Sequence, residues 1–265
     1  MRIGALVPVR LGSERLPGKA LLPIADRPVI AHLLDRVLAS RHLSPDRVVV
    51  CTTREASDDP LVEAVRGTGA QVFRGSRDNI LDRFAGAVEA FGFDAVVEAD
   101  GDDPCVDPGY MDRCLDALLA DESLGVVTVQ GLPLGLSSNA LRASALRTVR
   151  EHCLTEQNDT GFMYYFTRTG LCRHATLSPV SEAHRHDAAR LTLDYPEDLD
   201  FLRALFGELY VPGEVFGVEA IVGLLRRRPD LLAINEGLNE RFWERTREKA
   251  KLEYRRDGVV RRIEV

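Results

Sequence analysis

The sequence predicts an α/β fold built on a mostly parallel sheet with helices on both faces. Three observations predict it. Short apolar runs alternate with helix-period segments through the first 130 residues. The first of these runs, residues 3–9, is apolar at successive positions, the pattern of a strand buried on both faces. The chain has 265 residues, 45% of them apolar, which is enough to bury a large core without covalent staples.

After the strand at 3–9, Pro28 takes a first helical position, and Val29, Ile30, Leu33, Leu34, Val37 and Leu38 follow at helical spacing. Residues 47–52 read as the next strand. Asp58 or Asp59 caps a helix opened by Pro60 and closed near Gly67 or Gly69. A short strand is expected at 70–73, an amphipathic helix at 79–91, and a strand at 94–99 that runs into an acidic loop. Asp107 and Pro108 cap and open a helix ending near Asp121, and a strand at 124–130 closes the series. Residues 131–190 are less regular. A loop at 131–138 precedes a strand at 139–143, and Ser144 is expected to cap a helix through Cys153. The aromatic block at 158–168, with Phe162, Tyr164, Tyr165 and Phe166, reads as an inserted layer, a dimer contact or core. Strand pattern returns at 190–194, Pro196 opens a helix through Leu209, and helices are expected at 218–228 and 238–251. Asp257-Gly258 between alternating runs marks a hairpin over 252–265. The expected division is a catalytic domain at 1–210, with 131–190 as an inserted acceptor or dimer region, and a helical extension with a terminal hairpin at 211–265.

Thirty-four basic against 41 acidic side chains give a net charge of −7, which excludes global attraction to nucleic acid. From 241 to 265, however, nine basic residues face five acidic ones. That tail reads as a solvated helix and hairpin or as an RNA-binding arm, and the solvated reading is the plainer one. No run of 18 apolar residues exists, so no membrane span is expected. The first apolar run is too short for a leader peptide and lacks a small-residue cleavage site. Five widely spaced cysteines without a C-x-x-C fit neither a disulfide framework nor a zinc site, and the expected compartment is the reducing cytoplasm. Cys105, beside the acidic loop, reads as a packing residue.

The segment Arg10-Leu-Gly-Ser-Glu-Arg-Leu-Pro-Gly-Lys19 directly follows the first strand. Gly12 and Gly18 allow close backbone approach, Ser13 offers a hydroxyl, and Arg10, Arg15 and Lys19 place three cations on one loop. Backbone N–H groups with Arg and Lys are what a triphosphate needs. It is not a Walker loop, because five residues separate the glycines and Ala20 follows the lysine, and no G-x-G-x-x-G is present. In α/β sheets ligands bind where such loops leave the carboxyl ends of the strands.

Glu98-Ala-Asp100-Gly-Asp102-Asp103-Pro104 crowds four carboxylates into six residues, an arrangement a hard cation relieves. Mg2+ bound to phosphates takes only one or two carboxylates, and Asp194, far along the chain, is the second candidate beside Asp102. Glu197 and Asp198 read as first-turn helix acids, and Asp107 as an N-cap.

Together these residues resemble the cytidylyltransferase family, which includes 3-deoxy-manno-octulosonate and acylneuraminate cytidylyltransferases and spore-coat polysaccharide biosynthesis proteins. The family's R-x-x-S-x-R-L-P-G-K is matched from Arg10 to Lys19, its G-D-x-P by Gly101 to Pro104, and its late D-x-P-E-D by Asp194 to Asp198. The stretch from Phe73 to Arg83 and Ile234-Asn-Glu-Gly237 look like the spore-coat branch. The resemblance implies a Rossmann-like fold of the nucleotide-diphospho-sugar transferase type, transfer of CMP from CTP with Mg2+ to an anionic small-molecule acceptor, and a homodimer. It carries phosphate contacts to Arg10, Gly12, Ser13, Arg15 and Lys19, with Lys19, Arg10 and Asp102 as the catalytic set. Metal binding goes to Asp102 and Asp194, and nucleotide contacts go to Arg74, Ser76, Asn79 and Asp100. The extra acids at 98–104 also make Asp100 a further candidate for the cation. Asn139, His184 and His186 are the candidates for the acceptor. The competing functions are a glycosyltransferase using a nucleotide sugar through Asp100-Gly-Asp102, which would release a nucleoside diphosphate, and a nucleotide-binding protein without turnover.

Overall fold

The structure, a computed structural model, describes residues 1–264. Its centre is a seven-stranded sheet. The strands are β1 (Ile3–Pro8), β4 (Val48–Thr53), β5 (Gln71–Gly75), β6 (Ala95–Glu98), β7 (Val126–Val129), β8 (Asn139–Arg142) and β9 (His174–Leu177), in spatial order β5-β4-β1-β6-β8-β7-β9. The pairs β5-β4, β4-β1, β1-β6 and β7-β9 are parallel, and β8 lies antiparallel between β6 and β7. A small hairpin, β2 (Pro23–Ile24) and β3 (Arg27–Pro28), follows the first loop, and β10 (Glu253–Arg256) with β11 (Val259–Arg262) forms the terminal hairpin.

The continuous apolar runs are explained by burial on both faces. Ala5 and Val7 of β1, Val48 and Val50 of β4, and Ala95 and Val97 of β6 enter one core. Leu6, Val49, Cys51 and Val96, one position out of phase, enter the other. Helices α1 (Val29–Leu38), α2 (Asp59–Arg66), α4 (Pro108–Ala120), α7 (Pro196–Leu209) and α8 (Val218–Arg227) cover the first face. Helices α3 (Ile80–Phe91), α5 (Ala143–His152) and α6 (Met163–Thr167) cover the second, together with Tyr254 and Ile263 around the terminal hairpin. The chain continues from α8 into α9 (Pro229–Leu232) and α10 (Leu238–Lys249). The aromatic block is core here: Phe162, Tyr165 and Phe166 are buried in the second cluster.

The topology positions the site. From β1 the chain moves outward to β4 and β5, then returns to pair β6 on the other side of β1. The crevice between the carboxyl ends of β1 and β6 is therefore the switch point where α/β sheets bind ligands.

Several expectations are corrected. Residues 190–194 are not a strand. They run extended with a single bridge, Leu134 to Arg190, because Leu193 donates its N–H to the Asp102 carbonyl instead of to a ladder. Ser144 does not cap α5, whose N-cap position is Arg142 with no side-chain bond. Residues 131–190 contribute β8 and β9 to the central sheet, with β8 between β6 and β7. The β2-β3 turn has no sequence signal, since Ala25 and Asp26 take positive φ (45° and 60°) where Asn-Gly is the usual choice. The terminal hairpin does follow its Asp-Gly signal, with φ of 53° and 76°; Val265, included in that reading, lies outside the described residues. Among the described residues no helix is long and apolar enough to cross a membrane.

Candidate active site

A cleft of about 240 Å³ opens at the switch point, lined by Arg10, Gly12, Ser13, Arg15 and Lys19 from the first loop and by Asp100, Gly101 and Asp102 from the loop after β6. Two glycines make this geometry possible. Gly18 takes φ +70°, turning the chain so that Lys19 starts a short 3-10 helix. A Cβ on Gly101 would lie 2.4 Å from the Pro8 carbonyl, so only glycine lets the acidic loop pack against the end of β1.

Asp58 anchors the first loop. Its carboxylate accepts the Leu11 N–H at 2.8 Å, the Thr52 hydroxyl at 2.9 Å, the Thr53 N–H at 3.2 Å and the Thr53 hydroxyl. Burial alone would raise its pKa, but these donors hold it below the usual carboxylate value. From the sequence, Asp58 or Asp59 is expected to cap the helix at Pro60. The Asp58 side chain makes no cap bond, and the loop claims it instead.

The Lys19 ammonium is the centre of the site. It donates to Asp102 Oδ2 at 2.5 Å, Asp194 Oδ1 at 3.0 Å and the Leu193 carbonyl at 2.7 Å. Burial disfavours its charge, yet the two aspartates outweigh that and raise its pKa. Asp194 is 1% exposed and is also paired with Arg15 and, at 2.9 Å, with Arg190. Burial would raise its carboxyl, but Lys19 and Arg15 overcome this and hold it at about 2. Arg190, itself 1% exposed, binds Asp198 at 2.9 Å. Asp198 in turn accepts the N–H groups of Asp194 and Tyr195, the helix-start role expected of it, and the Asn235 amide at 3.0 Å. Arg190 and Asn235 were not identified as site residues. The one signal for Arg190 is its placement four residues before Asp194 in an otherwise apolar run.

The acidic cluster carries more charge than its protein surroundings offset. Glu98 is buried, its Oε2 accepts from Asn139 at 2.8 Å, and its Oε1 has no partner. Burial and the neighbouring Asp100 push it well above the ordinary range. Asp103 Oδ1 is likewise unpartnered, and burial followed by Asp102 raises that carboxyl too. Asp100 is pushed up to about 7 by its surroundings first and Asp102 second; its exposure to the cleft lets water screen part of that push.

Not every expected residue reaches the cleft. Arg10, Gly12, Ser13, Arg15, Lys19, Asp100 and Asp102 line it, and Asp194 lies directly behind Lys19. Arg74, Ser76 and Asn79 do not. Arg74 is spent on Asp59 and the carbonyls of Thr53 and Glu55, Ser76 accepts from the Asn79 N–H, and the Asn79 side chain caps α3. The acceptor candidates also fall outside the lining residues. His184 bonds the Tyr110 hydroxyl at 2.8 Å, Asn139 holds Glu98, and His186 lies in the same irregular segment as His184. The cleft contains instead Asp159, paired with Arg10 at 2.5 Å, and the buried Arg83, whose Nε has no partner. Two cations of the tail, Arg245 and Lys249, also line it, so the tail is more than a solvated helix.

Comparison with known proteins agrees with this geometry. The cytidylyltransferase family model matches residues 4–219. The chain is 30% identical over 228 residues to the spore coat polysaccharide biosynthesis protein SpsF of Bacillus subtilis, covering 85% of this chain and 94% of that one. It is 34% identical over 169 residues to the 3-deoxy-manno-octulosonate cytidylyltransferase of Yersinia pseudotuberculosis, covering 62% and 61%. The solved structure of a cytidylyltransferase from Leptospira borgpetersenii superposes with a TM-score of 0.80 at 25% identity, covering 88% and 97%. With a family match over most of its length, the chain belongs to the cytidylyltransferase family of nucleotidyltransferases.

Proposed function

We propose that this protein transfers CMP from CTP to a hydroxyl of an acidic sugar or related anionic acceptor, releasing pyrophosphate in a Mg2+-dependent reaction. The observation that carries the reading is the Lys19 ammonium held between Asp102 and Asp194 at the mouth of a cationic, glycine-bearing loop. The names of the relatives support a sugar-acid acceptor and a place in surface polysaccharide synthesis.

The residues present fit Mg2+. Asp102 and Asp194 supply two hard oxygen donors within 3.0 Å of one cationic nitrogen, the number a phosphate-bound Mg2+ takes from a protein. The carboxyls of Glu98, Asp100 and Asp103, all raised by burial and by neighbouring carboxylates, crowd the same loop, and a cation would relieve that repulsion. When bound, Mg2+ would offset negative charge on the phosphate oxygens.

The chain's own groups would do the positioning. Lys19 and Arg15, exchanging aspartate for phosphate, would hold the leaving pyrophosphate through charge-assisted hydrogen bonds. The loop around Gly12, where no atom lies within 4 Å of a Cβ position, leaves room for the phosphates to approach the backbone. Arg190 and Asp198 would keep Asp194 fixed while its other partners change. Displacement at the α-phosphorus requires attacking and leaving oxygens in line, so orientation by these fixed groups is the main contribution the protein makes.

The test is a pyrophosphate-release screen crossing four nucleoside triphosphates with a panel of anionic acceptors, with and without a chelator. Release is expected with CTP and one acidic acceptor, and its loss on chelation. Turnover of a nucleotide sugar to a nucleoside diphosphate, or CTP binding with no turnover across the panel, would reject the reading.

A further inference from the structure

Helix α10 lies beyond residue 219, where the family match ends, yet it reaches the cleft. It is docked on the site by several contacts. Leu238 is buried, the Asn239 side chain meets Arg190 at 3.4 Å, the Arg190 guanidinium lies 5.1 Å from the Phe242 ring, and Arg241 stacks 4.6 Å from Tyr195. This docking turns Arg245 and Lys249, one helical turn apart, toward the first loop. Both bind the same carboxylate. Lys249 meets Glu14 at 2.9 Å and Arg245 pairs with it as well. Glu14 belongs to the loop itself, between Arg10 and Lys19.

The charge distribution gives this contact a purpose. Around the cleft, Arg15, Lys19 and Arg190 pair with Asp102, Asp194 and Asp198, of which Arg190, Asp194 and Asp198 lie behind the lining residues, while Arg83 and Asp100 line the cleft outside these pairs. Arg10 is matched by Asp159. Arg245 and Lys249 share one carboxylate and so retain an excess positive charge. That carboxylate is 67% exposed, and exposed ion pairs contribute little to stability, so Glu14 exchanges readily for another anion. Both donors converge on Glu14 Oε2, so a phosphate oxygen that took its place would receive two charge-assisted hydrogen bonds.

We propose that Arg245 and Lys249 form a second cationic wall for the pyrophosphate portion of the nucleotide, with Glu14 as the internal anion that holds the place until the phosphates arrive. This rests on the cytidylyltransferase reading for the nucleotide and deepens it. The first loop grips the phosphates from one side and α10 from the other, so the nucleotide tail bridges two elements that otherwise meet through Glu14.

The experiment is calorimetric titration of the full chain, in Mg2+ buffer, with pyrophosphate, CTP and CMP. The variants are R245Q/K249Q, E14Q and, as a charge control on the same tail, K251Q. The double variant is expected to weaken pyrophosphate and CTP on the order of tenfold to thirtyfold while CMP stays within about twofold. E14Q removes the competing carboxylate and is expected to tighten pyrophosphate by about two- to fivefold, a gain that misfolding cannot produce. A double variant matching K251Q, equal weakening of CMP and CTP, E14Q with unchanged or weaker pyrophosphate binding, or wild-type protein that fails to bind pyrophosphate would each overturn the proposal. Wild-type protein that binds pyrophosphate but not CTP, with the loss in R245Q/K249Q intact, would reject the nucleotide reading and leave the phosphate wall standing.

Discussion

Asp102→Asn and Asp194→Asn remove the same charge from the same lysine, yet the structure requires different outcomes. Asp194 is 1% exposed and offsets Lys19, Arg15 and Arg190. Neutralising it leaves buried cations short of a partner, a change that costs about 3–5 kcal/mol. In a chain of this size that lowers the melting midpoint by roughly 10 °C. Asp102 is 27% exposed, its loss leaves Lys19 paired with Asp194, and its charge repels Asp100 and Asp103. Asp102→Asn is therefore expected to change stability by less than about 1 kcal/mol. Both variants should lose at least about 10²-fold in pyrophosphate release. The pH dependence adds a sign test. Asp194 is held at about 2 against an ordinary 3.8, so its contribution is complete above about pH 4 and lost as pH falls toward 2. The stability gap between wild type and Asp194→Asn, measured by urea unfolding, should shrink by about 2–3 kcal/mol through that window. Equal destabilisation of the two variants, or an Asp194→Asn protein as stable as wild type, would refute the assigned ion-pair network. Near-wild-type turnover in both would refute the metal assignment.

Asp58→Ala strips the acceptor from Leu11, Thr52 and Thr53, and is expected to cost about 3 kcal/mol in urea unfolding and to raise the KM for CTP by loosening the first loop. Glu98 has a folded pKa well above its ordinary 4.5, so its favourable contribution is present below pH 4.5 and fades as pH rises. Glu98→Gln keeps the shape without the charge, and its melting midpoint should exceed that of wild type by a margin that grows between pH 5 and pH 8; a constant or falling margin would show that Glu98 ionises freely in the fold.

The layered α/β architecture was legible in the residues because its causes are local and periodic. Apolar runs on β1 and β4 reflect burial on two faces, Asn79 and Asp107 cap helices through their own side chains, and Asp257-Gly258 forms its turn within four residues. The first loop and the G-D-x-P segment were equally visible, since each is contiguous and follows a strand. What only the tertiary structure decided is which distant groups compensate which charges. Arg190 looked like one more position in an apolar run, and Asp58 like a helix cap. The pairing of Asp194 with Lys19 spans 175 positions, and that of Glu14 with Lys249 spans 235. Residues 190–194 carry a strand pattern but give their hydrogen bonds to the Leu134 and Asp102 carbonyls, and that choice sets Asp194 beside Asp102. Periodicity reports the water or core that each residue faces. A buried charge is satisfied by whichever opposite charge the completed fold brings within about 4 Å, and that distance is fixed only when the strands, loops and the last helix have all been packed.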